Sequence, residues 1–197
     1  MDRRKAILNT GLVASGAIVI PSLLSLLQSC QAESGLAWQP MSLSSDEAAF
    51  VSKFVDLILP STTTPGALDV KVDMFIDRLI AKTYDANQQK EFKTKIAQFN
   101  TDCKSDYGKS FINLSATDQI AFLKKAERNS GNFNGAVWGS AVGTQEPISF
   151  YKSLKSMAIW AFFTSEEIGE KVLSYDPIPQ EYDGCKPLSN VGNRWSL

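Results

Sequence analysis

Two helix-capping motifs constrain the fold of this chain more than any other feature of its sequence. Ser44 is followed three residues later by Glu47, and Ser115 is followed at the same distance by Asp118. In a capping box the first side chain accepts a hydrogen bond from an amide of the first helical turn, and the second side chain returns to the cap. Both bonds satisfy donors that a helix start leaves open. The motifs therefore predict helices that begin just after Ser44 and Ser115.

Apolar residues recur three or four positions apart in four stretches, which is the spacing of one helix face. Pro60 ends the first stretch, and Asp85 is placed to cap the third. The second helix is expected over about residues 70–84 and the third over 86–106, and no stretch shows the strict alternation of a strand. The four stripes are Val51, Phe54, Val55 and Ile58; Val72, Ile76, Leu79 and Ile80; Phe92, Ile96, Phe99 and Cys103; and Ile120 with Leu123.

The last quarter of the chain predicts an apolar helix, a short helix and a tail. Pro147 suits the first helical position, where its missing amide is not needed, and this helix is expected to reach Phe163. Its aromatic residues exceed what one buried face requires. Ser165 is expected to cap a short helix to about Ser174, after which prolines 177, 179 and 187 restrict the backbone. The expected fold class is all-α: a small irregular helical domain with an extended, proline-containing C-terminal tail.

Two segments lack a helical pattern. Residues 60–67 are rich in hydroxyl groups and contain Pro65-Gly66, which favours a turn. We interpret them as a shaped connector rather than a sugar- or phosphate-binding loop, because no basic residue lies among them. In residues 129–144, glycine recurs at every fourth position, and each glycine costs a helix ~1 kcal/mol relative to alanine. A loop is therefore expected, with its aromatic residues packed on the domain or on a partner.

The absence of histidine from the chain narrows its chemistry. Imidazole is the side chain whose ordinary pKa lies near neutrality, so most acid–base, nucleophilic and metal-centred mechanisms lose their usual residue. The three cysteines do not have zinc or iron–sulfur spacing. Carboxylate pairs of the glycosidase kind remain, but two of the three lie at helix starts, where acids serve caps and the helix dipole. These pairs are Asp46/Glu47, Glu166/Glu167 and Asp176/Glu181.

The sequence therefore predicts no catalytic, cofactor-binding or metal-binding residue in this chain. The formal net charge is −1, with 20 basic and 21 acidic residues. Phosphate backbones are bound by basic patches, so a nucleic-acid partner is not expected.

The first 29 residues predict an export signal. Arg3, Arg4 and Lys5 precede an apolar run from Leu12 to Leu27, which is shorter than the ~20 residues a spanning helix needs; the alternative is a membrane anchor. The Arg3-Arg4 pair resembles a twin-arginine signal. Leu27-Gln28-Ser29-Cys30 resembles a bacterial lipobox, which predicts that Cys30 is lipidated and anchors the chain to the membrane.

This interpretation predicts three segments: a signal peptide over 1–29, a tether over 30–42 and a helical domain over 43–197. It also places the mature chain on the periplasmic or cell-surface side of a bacterial membrane. With Cys30 lipidated, Cys103 and Cys185 remain. The two could pair with each other, or Cys185 could bridge to another chain while Cys103 stays a buried thiol.

Several stretches resemble the gluconate 2-dehydrogenase subunit 3 family, the small subunit of membrane-associated, FAD-dependent sugar and polyol dehydrogenases. The similarity spans about residues 43–185. It is carried by the twin-arginine leader, the capped helix ending in Leu57-Ile58-Leu59-Pro60, the loop 61–67 with Val72-Asp73-Met74-Phe75-Ile76-Asp77, and the C-terminal part from Thr164-Ser165-Glu166-Glu167-Ile168-Gly169 through Tyr175-Asp176-Pro177-Ile178-Pro179 to Tyr182-Asp183-Gly184-Cys185.

The resemblance implies a non-catalytic subunit without a cofactor of its own. FAD and sugar oxidation would belong to a large subunit of the glucose–methanol–choline type, and electrons would pass to a cytochrome c subunit or a quinone. The small subunit would mature this partner and carry it, folded, through the twin-arginine route. The alternative is a free-standing surface lipoprotein that binds carbohydrate or another protein. The residues expected to contact the large subunit are Trp160, Phe162, Phe163, Tyr175, Tyr182 and Cys185.

Overall fold

The computed structural model describes residue 36 and residues 38–131, 136–137, 140–141, 147–175, 178, 184–193 and 196. By its internal contacts the chain divides into residues 1–37 and residues 38–197, and the fold below is that of the second unit. Its helices are α1 (Ser45–Ile58), α2 (Val72–Thr83), α3 (Ala86–Tyr107), α4 (Ala116–Arg128), α5 (Phe150–Phe163) and α6 (Glu166–Lys171).

Helices dominate this described part of the chain, which confirms the predicted helical fold. Short 3₁₀ turns lie at Phe111–Asn113 and Leu188–Asn190. Within the glycine-rich segment, two-residue strands β1 (Ala136–Val137) and β2 (Ser140–Ala141) pair antiparallel, with Ala136 opposite Ala141 and Val137 opposite Ser140. So small a pairing leaves the fold class unchanged.

The capping residues explain where the first and third helices begin. Ser44 Oγ accepts from the Glu47 amide at 3.3 Å, and the Glu47 carboxylate accepts from the Ser44 amide at 2.8 Å. Asp85 forms the same reciprocal pair of bonds with Gln88. Both predicted starts are confirmed, and Gly108, at φ 72°, ends α3 in the left-handed conformation that glycine adopts readily.

The other helix boundaries agree with the prediction only in part. Helix α4 begins after Ser115 as predicted, and Ser115 Oγ accepts from the Asp118 amide at 3.2 Å. The capping box is incomplete, because the Asp118 carboxylate, one methylene shorter than that of glutamate, accepts from Ser115 Oγ at 2.7 Å instead of from the Ser115 amide. Helix α5 begins three residues later than expected: its first residue is Phe150, Ser149 is its cap, and Pro147 lies outside it. Ser165 takes the predicted N-cap position of α6, but its side chain donates to the Phe162 carbonyl at 2.7 Å and makes no capping bond. That helix ends at Lys171 rather than near Ser174.

Helix α1 packs against α2 and α5, and α5 also contacts α4 and α6. The core between them is aromatic, with rings meeting edge to face. Phe50 lies 5.4 Å from Phe99 and 5.5 Å from Phe111, and Phe99 lies 5.0 Å from Phe122, measured between ring centroids. Such arrangements add to the free energy gained by burying the rings. The core is therefore assembled from rings of α1, α3, α4 and the 3₁₀ turn at Phe111–Asn113, and α2 adds the buried Val72, Ile76 and Ile80.

The α3 stripe is confirmed, because Phe92, Ile96, Phe99 and Cys103 are all buried. The α4 stripe was wrong at Ile120, which is exposed. Helix α4 instead buries Phe122, Leu123 and the polar Gln119, whose amide donates to the Phe111 carbonyl at 2.9 Å. A buried amide with a hydrogen-bond partner is tolerated in a core. The buried face of α4 is therefore rotated by about one residue from the face that the apolar spacing predicts.

Candidate partner-binding surface

Helix α5 has one face in the core and one at the surface. Tyr151, Leu154, Ala158 and Ala161 are buried, whereas Trp160 is 52% exposed. An indole of this size is usually covered by protein. The aromatic excess predicted for this helix is therefore located on its outer face as well as in the core.

The Trp160 ring is partnered by Phe75 of α2. Their centroids are 5.5 Å apart, and Phe75 is itself 39% exposed. The pair joins the outer faces of two packed helices into one exposed apolar patch. Sequence reasoning missed Phe75, although the signal was present: a large aromatic residue between the stripe positions Val72 and Ile76 has no place on the buried face.

Beside this patch lies a cleft of about 740 Å³ between α5, α6 and residues 173–175. It brings together three of the predicted contact residues, Trp160, Phe163 and Tyr175, and Tyr175 is 50% exposed. Ile159 and Leu173 complete the apolar lining. The carboxylate-bearing residues Glu166 and Glu170, one turn apart on α6, line the cleft as well.

The other predicted contact residues have different positions. Phe162 is half-buried and packs edge to face on Phe163, with centroids 5.5 Å apart. Cys185 is exposed, whereas Cys103 is buried in α3, and the structure has no disulfide between them. Burial raises the pKa of the Cys103 thiol, which disfavours its reactive thiolate. Tyr182 lies outside the described residues.

The C-terminal residues return to the end of α6. Ser174 Oγ donates to the Val191 carbonyl at 2.7 Å, and the Ser196 amide donates to the Ser174 carbonyl at 2.8 Å. The Asn193 side-chain amide donates to the Val172 carbonyl at 2.9 Å. These bonds hold the described ends of the tail next to the cleft.

Two buried acids of α2 hold the N-terminal segment of the domain. Asp77, fully buried, accepts from the amides of Met41 at 2.6 Å, Ser42 at 3.0 Å and Leu43 at 2.9 Å. Asp73 accepts from Trp38 Nε1 at 3.0 Å and from Ser52 Oγ at 2.6 Å. The acids that carry the resemblance in this helix are therefore structural, and residues 38–43 are docked on α2.

The hydroxyl-rich loop 60–67 is fixed by its own hydrogen bonds. The Ala67 amide donates to the Leu59 carbonyl at 2.8 Å, and the Gly66 amide donates to the Asp69 carboxylate at 2.7 Å. That bond, with one from Ser61, lowers the pKa of Asp69. Gly66 is buried against the start of the loop, where a Cβ atom would lie 2.4 Å from the Ser61 amide nitrogen. The close approach of two backbone segments is what requires glycine here.

A second cleft, of about 490 Å³, lies between α3, α4 and the start of α5. Phe99, Phe122 and Tyr151 line it, and among its charged groups Lys125 binds Asp106 at 2.6 Å, while Lys95 binds Glu91 at 2.7 Å. Beside it, Glu127 binds Lys155 at 2.6 Å, and Lys155 with the Tyr151 hydroxyl lowers the pKa of Glu127. Burial and the bond to Glu127 raise the pKa of Tyr151.

The acids weighed for catalysis have varied surroundings. Glu47 belongs to the α1 capping box, and Glu167 binds Lys171 at 2.7 Å. Asp176 and Glu181 lie outside the described residues, as do the predicted export and lipidation residues Arg3, Arg4 and Cys30.

Within the described ranges, no group of three or more metal-ligating side chains comes together. Among these residues, too, no helix is long and apolar enough to cross a bilayer.

The family model described as Gluconate 2-dehydrogenase subunit 3 matches residues 45–180, which include all six helices. No curated protein and no solved structure matches the chain.

Proposed function

This chain belongs to the gluconate 2-dehydrogenase subunit 3 family, and we propose that it escorts, matures and stabilises an FAD-dependent sugar or polyol dehydrogenase. Family membership makes it an accessory subunit of a dehydrogenase complex. The match over residues 45–180 is the observation that carries the proposal, because it runs from the first capped helix through the cleft to the tail.

The exposed aromatic surface supports a role in assembly. Trp160, Phe75 and Tyr175 expose large rings on neighbouring elements. Aromatic residues in the middle of an interface often contribute most of its binding free energy. A surface of this kind is what a subunit needs when its task is to hold a second protein.

In the proposed complex the chemistry lies in the partner. FAD and the oxidation of the sugar or polyol belong to a large subunit of the glucose–methanol–choline type, and electrons leave through a cytochrome c subunit or a quinone. Glu47 and Glu167, two of the acids weighed for catalysis, have structural partners in this chain. That assignment is consistent with a subunit that does not itself catalyse the reaction.

Export and anchoring complete the proposal. Arg3 and Arg4 direct the chain to the twin-arginine route, which transports folded proteins and therefore carries the flavin-loaded partner with it. Acylation of Cys30 then holds the complex at the periplasmic or cell-surface side of the membrane.

Co-expression tests the proposal. The chain and the flavoprotein large subunit of the same complex are produced together, and the chain is purified through a C-terminal tag. We expect a yellow complex with flavin absorbance, and we expect the double substitution Arg3→Lys/Arg4→Lys to leave both subunits in the cytoplasm. Export of an active large subunit in cells that lack this chain would contradict the proposal.

A further inference from the structure

We infer that the cleft between α5 and α6 binds a segment of the large subunit in which an arginine or lysine side chain is flanked by apolar residues. The inference rests on the proposed function, since it states which chemical feature of the partner this surface recognises. It follows from the combination of exposed rings and carboxylates in one cleft.

The rings of the cleft favour a cation together with apolar groups. Trp160 and Tyr175 are each about half exposed, at 52% and 50%. A guanidinium or ammonium group is attracted to the face of such a ring when it lies within about 6 Å of the ring centre. Arginine can also stack its planar group on an aromatic face, so it suits this lining better than a compact ammonium does.

The carboxylates of the cleft specify the sign of the charge. Glu166 and Glu170 are the charged side chains among the described residues that line it. Within the part of the chain that the structure describes, neither forms an ion pair; the nearby Lys171 binds Glu167 at 2.7 Å. The pKa of Lys171 is raised, chiefly by Glu167, and Glu166 and Glu170 add to the effect. The α6 side of the cleft is therefore electronegative.

Other occupants fit less well. A wholly apolar segment would remove water from Glu166 and Glu170 without replacing their hydrogen bonds, and an acidic or phosphorylated one would be repelled. A basic group between apolar residues satisfies both the rings and the carboxylates. The cleft volume of about 740 Å³ accommodates several side chains, and the adjoining Phe75–Trp160 pair extends the apolar contact beyond it.

Charge reversal combined with cross-linking tests the inference. Glu166→Lys and Glu170→Lys are made singly and together, and the affinity of each purified variant for the co-expressed large subunit is measured. We expect each single change to weaken binding about tenfold and the double change to weaken it further. Asp46→Lys is the matched control: it makes the same charge change at an exposed acid in the first turn of α1, outside the cleft lining, and it should leave the affinity within about twofold of the wild type.

A photoreactive phenylalanine at position 160 identifies what the cleft holds. We expect it to cross-link to a peptide of the large subunit that contains arginine or lysine, and reversal of that basic residue to glutamate should restore binding to the Glu166→Lys/Glu170→Lys variant. An intact complex that cross-links elsewhere, a peptide without a basic residue, or a cross-link to a second copy of this chain overturns the inference alone. If the wild-type chain forms no complex, the proposed function itself fails.

Discussion

At the scale of single residues, Asp77 has a large expected effect on stability. Its buried carboxylate accepts three backbone amides from residues 41–43. Hydrogen bonds to charged groups contribute about 1.5–3 kcal/mol each, and unpaired buried donors are costly. We expect Asp77→Asn to lower the free energy of unfolding by about 3 kcal/mol, because the amide presents one acceptor instead of two and adds donors that face other donors.

Urea denaturation measures this change. The control is Asp56→Asn, which alters a half-exposed acid 3.9 Å from Lys53; an exposed pair of this kind contributes about 0–1 kcal/mol. Equal losses in the two variants would show that the Asp77 carboxylate does not hold the segment.

The raised pKa of Tyr151 makes the stability of the fold depend on pH in the alkaline range. Burial and the bond to Glu127 raise its pKa in the folded state, whereas in the unfolded chain tyrosine titrates near its ordinary value of about 10. A raised pKa means that the stabilisation is fully present below pH ~10 and is lost as the pH rises above it. We therefore expect the melting temperature to fall more steeply between about pH 10 and 11 in the wild type than in Tyr151→Phe.

The measurement is a series of thermal melts, and the informative quantity is the difference between the two proteins at each pH. Other lysines and tyrosines titrate in both proteins and cancel in that difference. Tyr107→Phe serves as a control because it removes a tyrosine that packs on Phe122 but is only half-buried. Parallel curves for the wild type and Tyr151→Phe would contradict the assignment.

At the scale of elements, the sequence predicted where helices begin better than it predicted which of their side chains are buried. Helices α1 and α3 begin where Ser44 and Asp85 predicted, because capping depends on a few neighbouring residues. The prediction that Ile120 lies on the buried face of α4 was wrong because that face is set by Phe111 and Phe99, which come from other elements. Gln119 could enter the core only because the Phe111 carbonyl was there to accept its hydrogen bond.

The candidate partner-binding surface was likewise predictable from the sequence only in part. The aromatic excess of α5 was visible in the sequence, and Trp160 with Tyr175 is indeed exposed. Phe75 joins Trp160 only through the packing of α2 on α5, which no local pattern records. The docking of residues 38–43 depends on Asp77, about 35 positions away, so no local pattern indicates it, and the sequence places residues 38–42 in a tether.

The loop 60–67 gives a prediction at this scale. Gly66→Ala places a Cβ atom 2.4 Å from the Ser61 nitrogen and 2.8 Å from the Pro60 carbonyl carbon, both of them backbone atoms that cannot rotate away. Overpacking of this kind costs about 1–3 kcal/mol. We expect a loss near the upper end of that range, measured by urea denaturation, because the loop also links α1 to α2.

Thr63→Ala is the matched control in the same loop. Thr63 is exposed, so its replacement should change the stability by less than about 0.5 kcal/mol. A large loss in Thr63→Ala, or none in Gly66→Ala, would show that the loop is not held by the close approach of its two ends.

At the scale of the whole molecule, the aromatic core and the exposed cleft are largely separate. The core rings belong to α1, α3, α4 and the inner face of α5, together with the 3₁₀ turn at Phe111. The cleft is built from the outer face of α5, from α6 and from residues 173–175. Because few residues serve both, assembly and folding can be changed independently, which is the property that makes the proposed docking surface testable.

Truncation after Ser174 uses this separation. The deletion removes Tyr175 from the cleft and the bonds that Asn193 and Ser196 make to residues 172 and 174, but it leaves the core rings in place. We expect helix content by circular dichroism to fall only slightly and cooperative unfolding to persist, while the large subunit no longer co-purifies. Ser174→Ala in the full-length chain is the control, since it removes the three contacts of Ser174 Oγ with Val191 and Asn193 and keeps Tyr175. A truncated chain that still binds the large subunit would show that α5 and α6 suffice for docking, whereas loss of binding in Ser174→Ala alone would show that the tail acts by being held at the end of α6.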